Sequence, residues 1–356
     1  MIEESRIKAM KKITITIVFL VSLLLAGCQM GANTDTSFSF GDDLVFIQTE
    51  DYIRIDLEKS SALVKEKHQE LSEILASTEV LSDIAATTTT TANILHAAGI
   101  HVIAAPESAN LDEEVANQQY ALGTNQGIDR SKVLNVGSAL SPNIEALIEL
   151  EPGLVLYSDA LPHAQYITTL QEFGVNIHAL PQSDYLDMFI LLDVLGVLYE
   201  HQHTGVDALY QDMVEALKRV QTIIDAQDGS LQQSVAVLQV SERGMIANND
   251  EAVLGRIVGA LGLQNVFRNG ANAEVGKEVL LGENPDYIIF YTHGDDKGTL
   301  EHFHEEIYGD DSIYRELDAV KNGNVFAVSS DDFTFAASVD LDVIHVIEFL
   351  AERFYD

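Results

Sequence analysis

Three of the eleven histidines in this 356-residue chain fall in one short stretch, FYTHGDDKGTLEHFH, which runs from Phe290 to His304. They are His293, His302 and His304. An imidazole can ligate iron or zinc, hydrogen-bond a polar ligand or simply face water. His293 comes directly after the apolar run DYIIFYT (Asp286 to Thr292) and before Gly294, which places it at the carboxyl end of a sheet strand. In open α/β sheets that edge is where ligands bind. His302 and His304 alternate, but Glu301, Glu305 and Glu306 around them suggest the polar start of a helix. With no HExxH pattern and no neighbouring cysteine, zinc lacks its spacing signature, and a solvated face is the expectation for this pair. A surface hydrolase built on histidines and carboxylates is a distant alternative, because GxSxG, HExxH and a catalytic cysteine are all missing.

The threonine run Thr87 to Thr91 contains no glycine and is therefore not a phosphate-binding P-loop. Threonines at a helix start serve as caps, and hydroxyls with free backbone N–H groups there also suit an anion.

The elements that must position these residues read as α/β. Short apolar runs alternate with helical stretches, the pattern of domains with a largely parallel sheet. Candidate strands are Leu44–Gln48, His101–Ala105, Gly153–Ser158, Asn176–Leu180, Ser234–Val240, Asp286–Thr292 and Asn324–Ser329. Asn143–Leu150 and Ala252–Gly262 carry apolar residues at helical spacing. The stretch 185–227 has no proline and only Gly196 and Gly205 as breaks; Val206, Leu209, Met213, Leu217, Val220 and Ile224 share one face of its second part. A long, rigid helix bridging two lobes fits that pattern. The domain reading is a signal over 1–27, a linker over 28–43, an N-terminal lobe with an added segment over 44–184, a bridge over 185–230 and a C-terminal lobe over 231–356.

At the start of the chain, Lys11 and Lys12 precede the apolar run Ile13–Leu25, which is too short for a comfortable bilayer span of about 20 residues. The run ends in Leu25-Ala26-Gly27-Cys28, which resembles the lipobox of bacterial lipoproteins and puts the only cysteine where a lipid would be attached. Cleavage there leaves 16 Lys plus Arg against 54 Asp plus Glu, a net charge of −38. Such acidity argues against nucleic acid and against polybasic docking to anionic lipid, so the lipid on Cys28 must tether the chain to the outer face of the cell membrane. With 47% hydrophobic residues and no disulfide, a buried core must supply the stability of what reads as a monomer.

Two phrases of similar build, VGSALSPNIEALIELEPGLVLYS (Val136 to Ser158) and GKEVLLGENPDYIIF (Gly276 to Phe290), resemble the lobe signatures of the class III substrate-binding proteins of ABC importers. The resemblance runs from about Ile84 to Tyr355, and LEKSSALVKEKHQELSEIL (Leu57 to Leu75) before it reads as an added helix. ATTTTTANILHAAGI (Ala86 to Ile100), YTHGD (Tyr291 to Asp295) and FTFAASVD (Phe333 to Asp340) bring the chain nearest to the haem-receptor lipoproteins of iron-regulated surface determinant systems. That resemblance implies haem as transported ligand, no enzyme activity and no catalytic cofactor; an iron-siderophore or a cobalamin-like chelate is the alternative. It makes His293 the iron ligand and aligns Leu140 with the second axial residue, a methionine in the family. Leucine has no lone pair to offer, so His163, Tyr157 and Met245 stand as substitutes. Thr87, Thr88 and Thr89 would form the turn that meets a haem propionate, with Arg243 and Lys297 as nearby cations. Glu145 and Glu278 match the glutamates, one per lobe, that dock on permease arginines. A stiff bridge implies a small closing motion.

Overall fold

The computed structural model describes residues 36–49, 52–76, 83–106, 133–138, 141–159, 164–198, 200, 204–227, 233–270, 272–292, 297–328 and 341–355. Residues 37–356 make one compact unit. The chain opens on a three-stranded sheet of β1 (Thr36–Phe40), β2 (Leu44–Gln48) and β3 (Ile53–Ile55), followed by helix α1 (Ala62–Ala76). Leu44–Gln48 is thus a strand, but it pairs antiparallel with β3 outside both large sheets.

The N-terminal lobe follows: β4 (Ile84–Ala86), α2 (Thr89–Ala97), β5 (Val102–Ala105), β6 (Leu134–Asn135), the small hairpin β7 (Gly137–Ser138) and β8 (Ser141–Pro142), α3 (Ile144–Leu150), β9 (Leu154–Ser158), α4 (Ala164–Glu172) and β10 (Ile177–Leu180). Its sheet is parallel throughout, in the order β10-β9-β4-β5-β6. The bridge holds two helices, α5 (Tyr185–Leu198) and α6 (Thr204–Ala226), the second of them the long helix that the periodic face over 205–227 predicts. Gly205 belongs to the second of them, and a Cβ there would lie 2.8 Å from the Ala98 carbonyl oxygen, so the glycine permits close approach to the end of α2.

The C-terminal lobe holds β11 (Ser234–Ser241), β12 (Gly244–Ala247), α7 (Val253–Ala260), β13 (Gln264–Asn265), β14 (Ala273–Val275), α8 (Lys277–Glu283), β15 (Tyr287–Tyr291), α9 (Lys297–Tyr308), a 3-10 turn (Ile313–Glu316), α10 (Asp318–Lys321), β16 (Val325–Val328) and α11 (Val343–Tyr355). Its sheet runs β14-β12-β11-β15-β16, with β13 also on β11. β11, β15 and β16 are parallel, while β12 turns back from β11 through a tight hairpin and is antiparallel to it.

Strand periodicity explains the core. Side chains alternate between faces, so a strand buried on both sides reads as an unbroken apolar run. In β9, Leu154 and Leu156 enter the large central core and Val155 enters a smaller one under α3 and α4. In β11, Val235 and Val237 enter the same central core, while Ala236 and Leu238 face α9 and the 3-10 turn. Both sheets therefore share one continuous core, assembled around α5, α6 and α11.

The added N-terminal segment fastens onto that assembly. Phe46 meets Phe189 edge-on with ring centroids 6.0 Å apart, and Phe40 meets Tyr185 at 6.1 Å. Asp193 of α5, which is buried, accepts hydrogen bonds from Ile55 N (2.6 Å) and Tyr210 OH (3.1 Å) and lies 3.0 Å from His68 Nε2. Lys67 of α1 sits 2.5 Å from Asp187 and 3.9 Å from Asp184, and Arg256 of α7 sits 2.8 Å from Asp184. Asp184 thereby links the added segment, the bridge and the C-terminal lobe.

Within α7, two glycines make opposite demands. A Cβ on Gly255 would fall 1.9 Å from the Asn249 carbonyl oxygen, whereas one on Gly259 would meet nothing within 4 Å. Gly255→Ala is expected to lower stability by about 3 kcal/mol or more, as overpacking against backbone does. Gly259→Ala, in the same helix, is expected to raise it by up to about 1 kcal/mol. Denaturant melts of the two variants beside the wild type check the pair.

Candidate functional site

At the carboxyl edge of the N-terminal sheet, β4 ends at Ala86 and the chain turns into α2. Thr88 is the N-cap: its hydroxyl accepts from Thr91 N at 3.3 Å and donates to Thr91 Oγ1 at 2.7 Å. Capping is thus the role this hydroxyl performs here. Thr87 is fully buried, 3.2 Å from Tyr166 OH, and Thr89 lies half-buried in the first helical turn. Tyr157, half-buried at the end of β9, is followed by Asp159, whose Oδ1 accepts from Gln182 N at 2.8 Å. Burial raises the Asp159 carboxyl above its usual range; the Gln182 N–H opposes that shift and the Asp187 charge adds to it. Burial, reinforced by Asp159, likewise raises the Tyr157 phenol. Gln182 is 3% exposed, and its amide nitrogen has no hydrogen-bond partner among the described residues. No motif in the sequence singles out Asp159, Tyr166 or Gln182. Asp159 holds Gln182, whose Oε1 accepts from Thr91 Oγ1 at 3.4 Å, because β4, β9 and β10 end side by side, and Tyr166 reaches Thr87 from α4.

At the carboxyl edge of the C-terminal sheet, all five residues of β15 are buried. Tyr291 OH donates to Asn248 Oδ1 at 2.7 Å, and burial pushes its phenol up to about 12. Thr292 follows, half-buried. His293, Leu140, His163 and Cys28 lie outside the described residues, as does the side chain of Lys297. Met245, 7% exposed, has its sulfur 3.7 Å from the Tyr314 hydroxyl that donates to it. Arg243 is exposed in the β11–β12 turn. His302 and His304 are on α9, an exposed helix face as expected, with the His304 ring 4.8 Å from that of Tyr308. Among the described residues, no three His, Cys, Asp or Glu side chains converge as a metal site.

The two signature phrases fold alike. Glu145 is the second residue of α3, a seven-residue helix capped by Asn143, whose Oδ1 accepts from Ala146 N at 3.1 Å. Glu278 is the second residue of α8, also seven residues long, entered through Gly276. Each helix ends on a left-handed residue, Glu151 (φ 47°) and Asn284 (φ 42°), then a proline, then a buried strand. Both glutamates are exposed, and an acid in the first turn complements the helix dipole.

One further constellation has the composition of a hydrolase. Ser72 Oγ lies 3.4 Å from His68 Nδ1, and His68 Nε2 lies 3.0 Å from Asp193 Oδ2. The serine proton, however, goes to the His68 carbonyl at 2.7 Å, a bond back along its own helix. The histidine fastens α1 to the bridge.

The family model for periplasmic binding proteins matches residues 84–331. The chain belongs to the periplasmic binding protein family. Its two α/β lobes are the class III form of that fold. No curated protein matches the sequence. An ABC transporter substrate-binding protein from Listeria monocytogenes EGD-e superposes with a TM-score of 0.59 at 20% identity, covering 76% of this chain and 97% of that one. IsdE of S. aureus, solved with heme, gives 0.53 at 21% identity over 77% and 99%. The vitamin B12 binding protein BtuF of Vibrio cholerae gives 0.50 at 17% over 76% and 96%. At these identities the likeness is one of fold. The matched region begins at Ile84, after the β1–β3 and α1 segment. No helix among the described residues is long and apolar enough to cross a membrane.

The raised Asp159 carboxyl has a measurable sign. A folded-state pKa above the ordinary 3.8 means that ionised Asp159 costs stability at pH 7, a cost that fades as pH falls through the raised value towards 3.8. Asp159→Asn retains an Oδ1 acceptor for Gln182 N. Thermal melts are expected to show the variant above the wild type at pH 7, with the gap closing by about pH 4.

Proposed function

We propose that this receptor is a lipoprotein, anchored through Cys28 on the outer face of the membrane, that binds haem between the carboxyl edges of its two sheets. It delivers the haem to an ABC permease and does no chemistry on it. The observation that carries the receptor reading is the pair of matching helix–proline–strand units, one per lobe, each presenting an exposed glutamate, Glu145 or Glu278. Two carboxylates on separate lobes would report both the presence and the tilt of the lobes to permease arginines, whose pairing with carboxylates is directional.

Haem is favoured by His293, which comes two residues after the end of buried β15 in the sequence, beyond the edge where open α/β sheets bind ligands. IsdE, a relative by fold, was solved with heme. Leu140 at the second axial position leaves His293 as the principal iron ligand, with His163, Tyr157 or Met245 to complete the set. Thr87, Thr88 and Thr89 would stand beside a propionate. The second reading, an iron-siderophore or cobalamin-like chelate, is favoured by that same leucine and by the B12 binder of like fold.

Titration with haemin is expected to produce a Soret band in the wild type that shifts and weakens in His293→Ala. An unchanged spectrum in the variant would remove His293 from the iron, and no Soret change in the wild type would favour the other chelates. Glu145→Ala with Glu278→Ala is expected to leave the haemin titration intact while lowering permease-dependent uptake at least about tenfold, the loss of two charge-assisted contacts. Uptake at the wild-type rate would remove the pair from docking.

A further inference from the structure

The segment that precedes the family match, β1–β3 with α1, has no part in the ligand reading, yet it joins all three other parts of the molecule. One end is continuous with the N-terminal lobe, since only residues 77–83 separate α1 from β4. The opposite end reaches the C-terminal lobe. Gly41, in the β1–β2 turn, has φ +58°, and a Cβ there would fall 3.1 Å from Ala260 Cβ of α7 and 3.6 Å from Tyr185 OH of the bridge. The position needs glycine twice, for the left-handed backbone and for the close approach.

Between these ends the segment is pinned along the bridge. Lys218 of α6 donates to Gln48 of β2 at 2.6 Å and stands 5.2 Å above the Phe38 ring, which stacks on Phe46 at 4.9 Å. Lys67 of α1 pairs with Asp187 and Asp184, and Arg256 of α7 pairs with the same Asp184. These are three of only 20 Lys plus Arg against 56 acids, so the seam holds cations that the acidic surface goes without.

Two lobes joined by one connection can pivot about its ends, where a few residues are free to change φ and ψ. The turn from β10 into α5 is such a place, and Asp184 within it is gripped from the added segment and from the C-terminal lobe at once. The contact of Gly41 with Ala260 is a second tie, made by a part of the chain that the bridge does not supply. A tie at a distance from the first removes the pivot.

We propose that the added segment is a brace that sets the angle between the two lobes, with Gly41 and Lys67 as its positioning residues. Its effect on ligand affinity rests on the proposed inter-lobe haem site; the angle itself does not. Spin labels on Glu149→Cys of α3 and Glu283→Cys of α8, both exposed and one per lobe, report the inter-lobe distance by double electron–electron resonance in a full chain carrying Cys28→Ser. The parent chain is expected to give one narrow distance. Gly41→Asn tolerates the left-handed backbone and so disturbs chiefly the contact with Ala260. Lys67→Met keeps the apolar stem, while Asp184 retains Arg256 and Asp187 retains two backbone N–H groups, so both variants should fold. Each should shift or broaden the distance and weaken haemin binding about tenfold, as when the competent arrangement is populated about one part in ten. Lys67→Arg should restore both readouts. Parent-like distances in Gly41→Asn and Lys67→Met, with only the thermal midpoints lowered, would overturn the brace and leave the segment a role in stability alone. Altered distances with unchanged haemin affinity would overturn the positioning role. A parent chain that binds no haemin, while its distance still responds to both substitutions, would support the brace and count against the haem reading instead.

Discussion

Three aspartates at the start of the bridge, Asp184, Asp187 and Asp193, are buried at 4%, 2% and 3% exposure. Taking a carboxylate out of water costs several kcal/mol unless partners replace the lost solvent. The partners come from three directions: Lys67 and His68 from α1, Ile55 N from β3, and Arg256 from α7 of the other lobe. Asp187 also accepts from Ser183 N and Asp184 N, which fixes the turn that leads out of β10 into α5. The bridge, the added segment and the C-terminal lobe are thus held to one another by charges that have no cheap alternative. Removing one partner from such a pair typically costs about 3–5 kcal/mol, because the other charge stays buried.

This constraint bears on what the receptor can do. Both sheets bury one face in the same central core, and that core runs without a break through α5, α6 and α11. Close-packed interiors do not deform continuously. Large hinged closure would have to tear this core, so in the proposed function recognition would rely on edges already in place: the Thr87–Tyr166–Asp159–Gln182 cluster on one lobe and the end of β15 on the other. The same stiffness would suit the proposed docking on a permease. With Glu145 and Glu278 each on a short helix closed by a left-handed exit and a proline, a small tilt between lobes would, in the proposed docking, become a change in spacing between two charges.

Much of the fold was legible in the sequence because buried parallel strands read as apolar runs. Gly153–Ser158, Asn176–Leu180 and Asp286–Thr292 all became strands within a residue or so at each end. The periodic face Val206, Leu209, Met213, Leu217 and Val220 is buried on α6 as the pattern demanded. Leu44–Gln48 was legible as a strand but not as an antiparallel one, since an apolar run does not name its neighbour. Gly205 read as a break but lies in the first turn of α6, and its meaning depends on the end of α2 a hundred residues earlier. The Asp193 and Asp184 networks join residues far apart in sequence, and no spacing rule reaches that far. The acidity of the chain hid them further, because three structural aspartates among so many acids carry no signal.

The central claim is that a chelate sits between the carboxyl edges of the two sheets of a stiff receptor. Amide hydrogen exchange, measured with and without haemin, tests it most directly. The account predicts slowed exchange on both lobes at once, at Thr87–Thr91, at Tyr157–Asp159 and at Tyr291–Thr292, with the cores of α5 and α6 unchanged. Protection confined to one lobe, or spread along the outer faces of α4 and α9 while these edges exchange as before, would contradict it.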